Sequence, residues 1–417
     1  MKCARLDVGT VILRVKSRFY RFLSETLSLL ERFLIKNLSP LVTLLHMNKT
    51  KTLPVTIYTS ATQAVDETLR RAILLGSSDI HIDPGPDLTR VRLRIDGCME
   101  EGDHISKFLH DEMIARLKIL SGVRTDIHAI PQDGRWRDEI SGVIYNIRIS
   151  FMPTYHGENA VIRLLPTNGD TYISFANLGF IPDHVQLIDN ALKRTHGIIL
   201  VTGPTGSGKT TTLHSCLSLK SREPISVITL EDPVEYEIKG VRQVHIHHSH
   251  GVTFASGLRS ALRQDPDVIM VGEIRDQETA RVAIHTALTG HLVFSTLHTN
   301  SALEAIPRLI DMGVDPYLLA STLSLVIAQR LVRKICDDCD TYGCESCRFV
   351  GYKGRSIIAE AFEPDQTMRD MIARREPVSV FNDYARSKGF RTMRDDGMEK
   401  VEWGVTSDTE IIDALYE

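Results

Sequence analysis

The sequence predicts an α/β protein in which a nucleotide-binding domain follows a smaller α+β domain. A phosphate-binding motif, G-x-x-x-x-G-K-T, spans residues 203–210, between an apolar run typical of a strand and a run typical of a helix start. Two later apolar runs, 225–230 and 267–271, lead into acidic residues, as strands do at the ligand crevice of a doubly wound sheet. Residues 54–166 mix helical and strand patterns in an order typical of an α+β domain.

Length and composition place the chain among ordinary globular proteins. Its 417 residues suffice for two or three domains, and 42% hydrophobic with 24% charged residues is typical of that class. A net charge of −4 argues against a general binder of polyanions. No run reaches the roughly 18 uncharged apolar residues of a membrane span, so we expect a cytoplasmic protein. Seven cysteines there favour a metal site or free thiols over disulfides.

Residues 1–53 form a basic arm, with ten Lys/Arg against three Asp/Glu. Seven leucines recur at three- and four-residue steps, which places them on one helical face: Leu23, Leu27, Leu30, Leu34, Leu38, Leu41 and Leu45. This face predicts either a helix packed on its own core or a docking helix for a partner or a membrane surface. A third interpretation is that Met47 is the true start.

Residues 54–166 are predicted to form the α+β domain. The pattern indicates helices from Ser60 to about Leu75 and over 109–121, and strands over 79–83, 90–96, 143–151 and 159–165. Arg94 and Arg135 each lie beside a predicted turn, where a lone arginine is more typical of a solvated surface. A polar linker is predicted over 167–172.

Residues 173–362 are predicted to form the nucleotide domain, and the phosphate loop, residues 203–210, is its centre. Its glycines let backbone N–H groups turn toward an anion, and the following helix start adds partial positive charge. Lys209 can reach the β- and γ-phosphates, and the Thr210 hydroxyl can ligate Mg²⁺. The candidate nucleotide-binding residues are Gly203, Pro204, Thr205, Gly206, Ser207, Gly208, Lys209, Thr210 and Thr211.

Acidic residues and histidines follow the predicted strands of this domain. Residues 231–235 place two glutamates after one strand, and Glu273 ends the next, which resembles a Walker B strand with Gly272 where aspartate usually stands. Glu273 can hold Mg²⁺ through water or orient the attacking water. His291 and His298 lie near the two ends of a strand predicted over 290–299, where a single histidine is more often structural.

Four cysteines, Cys336, Cys339, Cys344 and Cys347, form two C-x₂-C pairs. This spacing predicts a closed structural zinc site, with a loop of free thiols as the alternative. Residues 363–417 are predicted to form small helices, one of them after a turn at Asp396–Gly397.

From about Ser78 to the C-terminus, these motifs together resemble the secretion ATPases of type II secretion systems, type IV pilus assembly and competence pseudopili. The matching segments are 78–82, 94–97, 132–135, the phosphate loop, 231–235, 263–267, 272–276, 290–299 and 329–331.

The resemblance implies a hexameric, RecA-like ATPase with a PAS-like domain before it. It implies that ATP and Mg²⁺ are bound, with zinc in the cysteine loop, residues 336–347. The family's aspartate box corresponds to residues 231–235, its Walker B motif to 272–273 and its histidine box to 290–299. By this resemblance the catalytic residues are Glu235, Glu273, His291 and His298, together with Lys209. Arg94, Arg135 and Arg148 match arginines that approach the γ-phosphate from the preceding domain.

The function implied is ATP hydrolysis that powers assembly of a type IV pilus or a type II secretion pseudopilus. The enzyme would act at the inner membrane through a platform protein, without direct contact with nucleic acid. A pilus-retraction ATPase, a conjugation-type ATPase and a non-hydrolysing nucleotide-binding scaffold are the alternatives. Two departures from the family pattern stand out: the basic arm, residues 1–53, stands where the family's usual first domain would be expected, and the spacer between the cysteine pairs is short.

Overall fold

The computed structural model describes residues 56–167, 173–235 and 237–416, within a compact unit that begins at Thr56. The predicted basic arm, Met47 and most of the predicted linker lie outside the described residues.

The first part of this unit is a six-stranded antiparallel sheet with two helices on one face. The strands follow one another in the order β3-β2-β1-β6-β5-β4. Their bounds are β1 Ser77–Pro84, β2 Leu88–Ile95, β3 Cys98–Ser106, β4 Gln132–Ile140, β5 Val143–Thr154 and β6 Gly157–Pro166; the helices are α1 Ala61–Leu74 and α2 Lys107–Ser121.

Apolar and charged side chains alternate along the central strands, so one face of this sheet is buried beneath the helices and the other is polar. Ile80 on β1 and Ile162 on β6 pair with each other and are fully buried beneath the helices, whereas their neighbours Asp79 and Arg163 point to the opposite face. The sequence did not predict β3 and β4, and Arg135 lies within β4 rather than beside a turn. Both are edge strands, which bury few side chains and therefore lack a strong apolar pattern.

The second sheet has seven strands in the order β13-β12-β7-β11-β10-β8-β9. All neighbours pair in parallel except β12 and β13. The bounds are β7 Gly197–Thr202, β8 Val227–Glu231, β9 Val241–His245, β10 Val268–Val271, β11 Leu292–Leu297, β12 Leu323–Ile335 and β13 Tyr352–Phe362.

Helices cover both faces of this sheet, where two separate apolar clusters form the core. They are α3 Phe175–Leu178, α4 Pro182–Leu192, α5 Lys209–Lys220, α6 Phe254–Ala261, α7 Gln277–Leu288, α8 Ala305–Asp311 and α9 Pro316–Thr322. The α/β class predicted from the phosphate loop and the buried strands is confirmed, whereas the PAS-like character of the first domain stays a prediction.

Four helices end the chain: α10 Gln366–Ala373, α11 Val378–Ser387, α12 Met393–Glu402 and α13 Asp408–Tyr416. The predicted turn at Asp396–Gly397 is wrong, because both residues lie inside α12. Asp396 is fully buried and accepts hydrogen bonds from the Ala359 backbone and from Lys400, both at 2.7 Å. A Cβ at position 397 would come within 2.8 Å of Ile411, so the glycine allows α13 to pack against α12. None of the described helices has the length and apolar character needed to cross a bilayer.

Candidate nucleotide site

The phosphate loop joins the fully buried strand β7 to helix α5. Gly203 has a φ of 147°, and a Cβ there would lie 2.5 Å from the Gln329 carbonyl oxygen and 2.6 Å from the Ser207 hydroxyl. Only glycine fits this close approach. The strand–loop–helix arrangement that the motif predicted is therefore present.

Lys209 lies folded over the loop. Its ammonium group donates to the carbonyl oxygens of Gly203 and Pro204, both at 2.8 Å. Burial, and to a smaller extent the neighbouring Arg330, lowers the pKa of Lys209 to about 8, against the opposing effect of Glu273. Two cations therefore meet at this loop with one carboxylate near them, and phosphate oxygens would supply the missing negative charge.

Gln329 holds the loop against strand β12 and was not among the predicted site residues. Its fully buried side chain donates to the Ser207 carbonyl at 2.8 Å and accepts from the Thr212 hydroxyl at 2.9 Å. Both bonds form because β12 pairs in parallel with β7, where Ala328, the residue before Gln329, lies opposite Thr202. Thr202 in turn bonds Thr299 at 2.7 Å, which fixes the end of β11 beside the loop.

Arg330 is a second residue at the phosphate loop that was not among the predicted site residues. Its guanidinium group donates to the Gln329 carbonyl at 3.1 Å and to the backbone and side-chain oxygens of Asn300 at 3.3 Å. The group lies close to Gly203 and acts electrostatically on Lys209. The cation is thus held at the phosphate loop by neutral oxygens, in a position where it can meet an anion.

Glu273 follows β10 and faces the same site. Its carboxylate pairs with the Arg275 guanidinium at 2.6 Å and lies 3.7 Å from Nε2 of His298. Burial, followed by the charge of Lys209, lowers the pKa of His298, so this imidazole is neutral at neutral pH. At position 272 a Cβ would come within 3.1 Å of the Leu230 carbonyl oxygen, so a side chain there would require a small adjustment of the neighbouring backbone.

The two glutamates of the predicted aspartate box differ. Glu231 is buried, and hydrogen bonds from Thr229 at 2.6 Å and from Gln243 at 3.0 Å hold it in place. Burial raises the pKa of Glu231, but His214 and these two bonds outweigh it and leave that pKa below its usual range. Glu235 lies half-buried in the irregular segment after β8. Of the two, Glu235 is the more accessible to a bound nucleotide.

The structure separates the two predicted histidines. Strand β11 runs parallel to β7, so its end, next to His298, lies beside the phosphate loop. His291 precedes the strand, where its carbonyl accepts from Gly197 at 3.2 Å and its ring contacts the Thr286 carbonyl at 3.2 Å. Six strand residues at about 3.3 Å each put it roughly 20 Å from the loop.

The arginines of the first domain form a row. Directly paired positions on five neighbouring strands carry, in order, Arg94, Asp79, Arg163, Arg148 and Arg135. All five lie on the face opposite the helices, and Arg163 pairs with Asp79 at 2.8 Å. Arg163 was not among the predicted site residues, because only strand pairing reveals the row.

Part of the arginine row lines a cleft of about 880 Å³ that reaches the aspartate box. Arg135 and Arg148 face Pro233 and Val234 there, and Arg148 donates to the Val234 carbonyl at 3.1 Å. None of the described residues that line the cleft belongs to the phosphate loop. Arg94 lies outside the cleft and donates to the Gly97 carbonyl at 2.8 Å.

The four cysteines meet in one cluster, with all sulfur atoms within 4.8 Å of one another. The Sγ–Sγ distances are 3.8 Å for Cys336–Cys344, 3.6 Å for Cys339–Cys347 and 3.7 Å for Cys344–Cys347. A tetrahedron with Zn–S bonds of about 2.3 Å would separate its sulfurs by about 3.8 Å, so the cluster fits zinc. Backbone N–H groups, such as that of Gly343 at 3.2 Å from Cys339, point at the sulfurs.

Residues that follow the cysteine loop contact the first domain. Arg348 pairs with both carboxylate oxygens of Glu100, at 3.0 and 3.1 Å. The Gly354 N–H donates to the Asp96 carboxylate at 2.8 Å. The turn at Asp96 and the start of β3 are therefore fixed to the start of β13 and to the residue that follows the cysteine loop.

Comparisons with known proteins agree with this geometry. A family model described as "Type II/IV secretion system protein" matches residues 58–413. The chain is 42% identical to the type II secretion system protein HxcR of Pseudomonas aeruginosa, over 81% of this chain and 73% of that protein. It is 40% identical to the type IV pilus assembly ATPase PilB of Thermus thermophilus, over 87% of this chain but 44% of PilB.

Among solved structures, the pilus retraction motor PilT with bound ADP superposes with a TM-score of 0.60, at 28% identity, over 84% of this chain and 96% of PilT. The match to the family model covers most of the chain, and more than four fifths of it aligns with relatives of 40% identity or more. The chain therefore belongs to the type II/IV secretion system protein family.

Proposed function

We propose that this protein is a hexameric ATPase that powers assembly of a type IV pilus or a type II secretion pseudopilus. The observation that carries the proposal is the convergence of Lys209, Glu273, His298 and Arg330 on one phosphate loop. One relative is named as a type II secretion protein and another as a pilus assembly ATPase, which supports assembly, not retraction, as the process that hydrolysis drives. The enzyme acts at the cytoplasmic face of the inner membrane, through a platform protein.

The roles of the residues follow from their contacts. Phosphate oxygens replace the two carbonyl oxygens that Lys209 now contacts, and the loop N–H groups bind the same anion. Thr210 and Glu273 are the residues that would hold Mg²⁺, which supplies positive charge to the phosphates when bound. Glu273 must leave Arg275 for this, while Glu235 activates the attacking water.

The arginine row supplies charge from the first domain. Arg135 and Arg148 line a cleft with the aspartate box, and the described residues of that cleft include none from the phosphate loop. A movement of the first domain, or a neighbouring subunit in the ring, brings them to the γ-phosphate. Hydrolysis is then coupled to domain position, which is what a motor requires, and a non-hydrolysing scaffold would not need these groups.

A retraction motor is the second candidate, because PilT shares the fold. Identity with PilT is 28%, compared with 42% and 40% for the two relatives above, and this difference favours assembly. We assign zinc to the cysteine cluster as a structural ion, since four thiolates leave no open coordination position for catalysis.

Turnover and assembly of the purified full chain test the proposal. Wild-type protein should hydrolyse ATP and elute as a hexamer in nucleotide by light scattering. Lys209→Ala should abolish turnover, because it removes the charge on the β- and γ-phosphates. Turnover that persists in Lys209→Ala, or is absent from the wild type with its nucleotide bound, would refute the ATPase.

A further inference from the structure

Glu360 is a buried carboxylate that the site described above does not use. It lies on β13, which pairs with β12, and the residue is 5% exposed. Burial raises the pKa of Glu360, and the backbone N–H groups of Ala302 and Met393 oppose that rise. A buried carboxylate is costly unless donors hold it, so its partners indicate what it does.

Each carboxylate oxygen of Glu360 holds a different segment. Oε1 accepts from the Ala302 N–H at 2.7 Å, at the end of the loop that begins at His298. Oε2 accepts from the Met393 N–H at 3.1 Å, and Met393 is the first residue of α12. One side chain therefore ties the loop 298–302 to the C-terminal helices.

The loop 298–302 belongs to the nucleotide site. His298 lies beside Glu273 at one end, and Asn300 accepts both hydrogen bonds from Nη2 of Arg330. Arg330 and Glu360 are also neighbours across the β12–β13 pair, because Arg330 pairs with Ile358, two residues before Glu360 on the same face. The charge of Glu360 acts on Arg330.

We propose that Glu360 is a positioning residue for ATP hydrolysis, which holds the loop 298–302 and Arg330 over the phosphates and joins them to helix α12. The inference rests on the ATPase function proposed above. When a γ-phosphate draws the Arg330 guanidinium toward it, Asn300 and Ala302 follow, and Glu360 passes the displacement to Met393. The C-terminal helices thereby respond to the nucleotide without contacting it.

The first test is Glu360→Gln in the full chain, because an amide can accept only one of the two backbone bonds. We expect kcat to fall about tenfold with little change in KM, since one charge-assisted bond is lost at a residue that does not touch ATP. Glu363→Gln is the matched control, a nearby acid paired with Arg194 on the outside of the domain. Equal kcat in the two variants would overturn the proposal.

The second test removes the link to α12 without changing a charge. Met393→Pro deletes the N–H that binds Glu360, and proline is tolerated at the first position of a helix. The preceding Thr392 already has a ψ of 162°, which suits a residue before proline. Met393→Val is the control, because it also shortens the buried side chain but keeps the N–H.

The readout is hydrogen exchange with and without a non-hydrolysable ATP analogue. We expect the analogue to slow exchange both in 298–302 and in 393–402 in the wild type and in Met393→Val. In Met393→Pro the loop should respond and the helix should not. An unchanged helix response in Met393→Pro refutes the link, and a wild type that shows the response but no turnover refutes the ATPase while leaving the link intact.

Discussion

The lowered pKa of Lys209 predicts that nucleotide binding takes up protons. With a pKa of about 8 in the free protein, the ammonium group is half deprotonated at pH 8. Bound phosphates favour the charged form and raise the pKa of this lysine back toward its ordinary value or above. Binding at pH 8 should therefore take up about half a proton per site, about 0.1 at pH 7 and about 0.9 at pH 9.

The assay is titration calorimetry with ADP and Mg²⁺ in buffers of different ionisation enthalpy, from which proton uptake is obtained directly. At pH 8 and above, His298 does not contribute, because its pKa is lowered and the imidazole stays neutral. The lowered pKa of Lys209 also affects stability: the buried charge destabilises the free protein at neutral pH, and this cost is relieved as the pH rises from about 8 toward the ordinary pKa of 10.5.

Arg330→Gln is the informative variant, because Arg330 is the second cause of the lowered pKa. Without that cation the pKa of Lys209 should rise, and proton uptake at pH 8 should fall below the wild-type value. Burial remains in the variant, so the uptake should not vanish. Uptake near zero in the wild type at pH 8 and pH 9, or an unchanged value in Arg330→Gln, would refute this account of the site.

Three further predictions concern catalysis and the metal. Glu273→Gln should keep nucleotide affinity and lose turnover by about 10²–10⁴-fold, measured by phosphate release, and unchanged turnover would remove Glu273 from the mechanism. Arg135→Ala and Arg148→Ala should each lower kcat far more than ATP affinity, and lysine should not restore it fully, because the planar fork is lost; a parallel fall in affinity at constant kcat would make them binding residues. Metal analysis should find about one zinc ion per chain, lost in Cys339→Ser with ATP turnover largely preserved; four freely titratable thiols in the native protein would contradict the zinc site.

Local patterns sufficed for the centre of the fold. The motif at 203–210, flanked by an apolar run and a helix start, predicted β7, the loop and α5 correctly. The edge strands β3 and β4 were not predicted, because few of their side chains are fully buried and their sequences carry little hydrophobic periodicity. The glycine at 397 indicated a turn, although tertiary packing against Ile411 gives it a place inside a helix.

The site was harder to predict where it depends on distant pairing. Gln329 and Arg330 reach the loop because β12 pairs with β7, more than 120 residues earlier, and no local signal states that pairing. His291 and His298 lie close in sequence, but a six-residue strand separates them, so they lie at opposite ends of β11. Motif membership predicted which residues matter, whereas only topology showed which of them meet.

The arginine row has a mechanical consequence. Arg163, Arg148 and Arg135 sit on neighbouring, hydrogen-bonded strands about 4.8 Å apart, so their spacing is fixed by the backbone and not by side-chain choice. A single guanidinium group can move relative to the nucleotide site only as far as a change of its own side-chain rotamer allows. Any motion of the first domain therefore moves all of these charges together, as one rigid group. The electrostatic energy of this group then depends mainly on where the domain lies, and one rigid displacement can switch it.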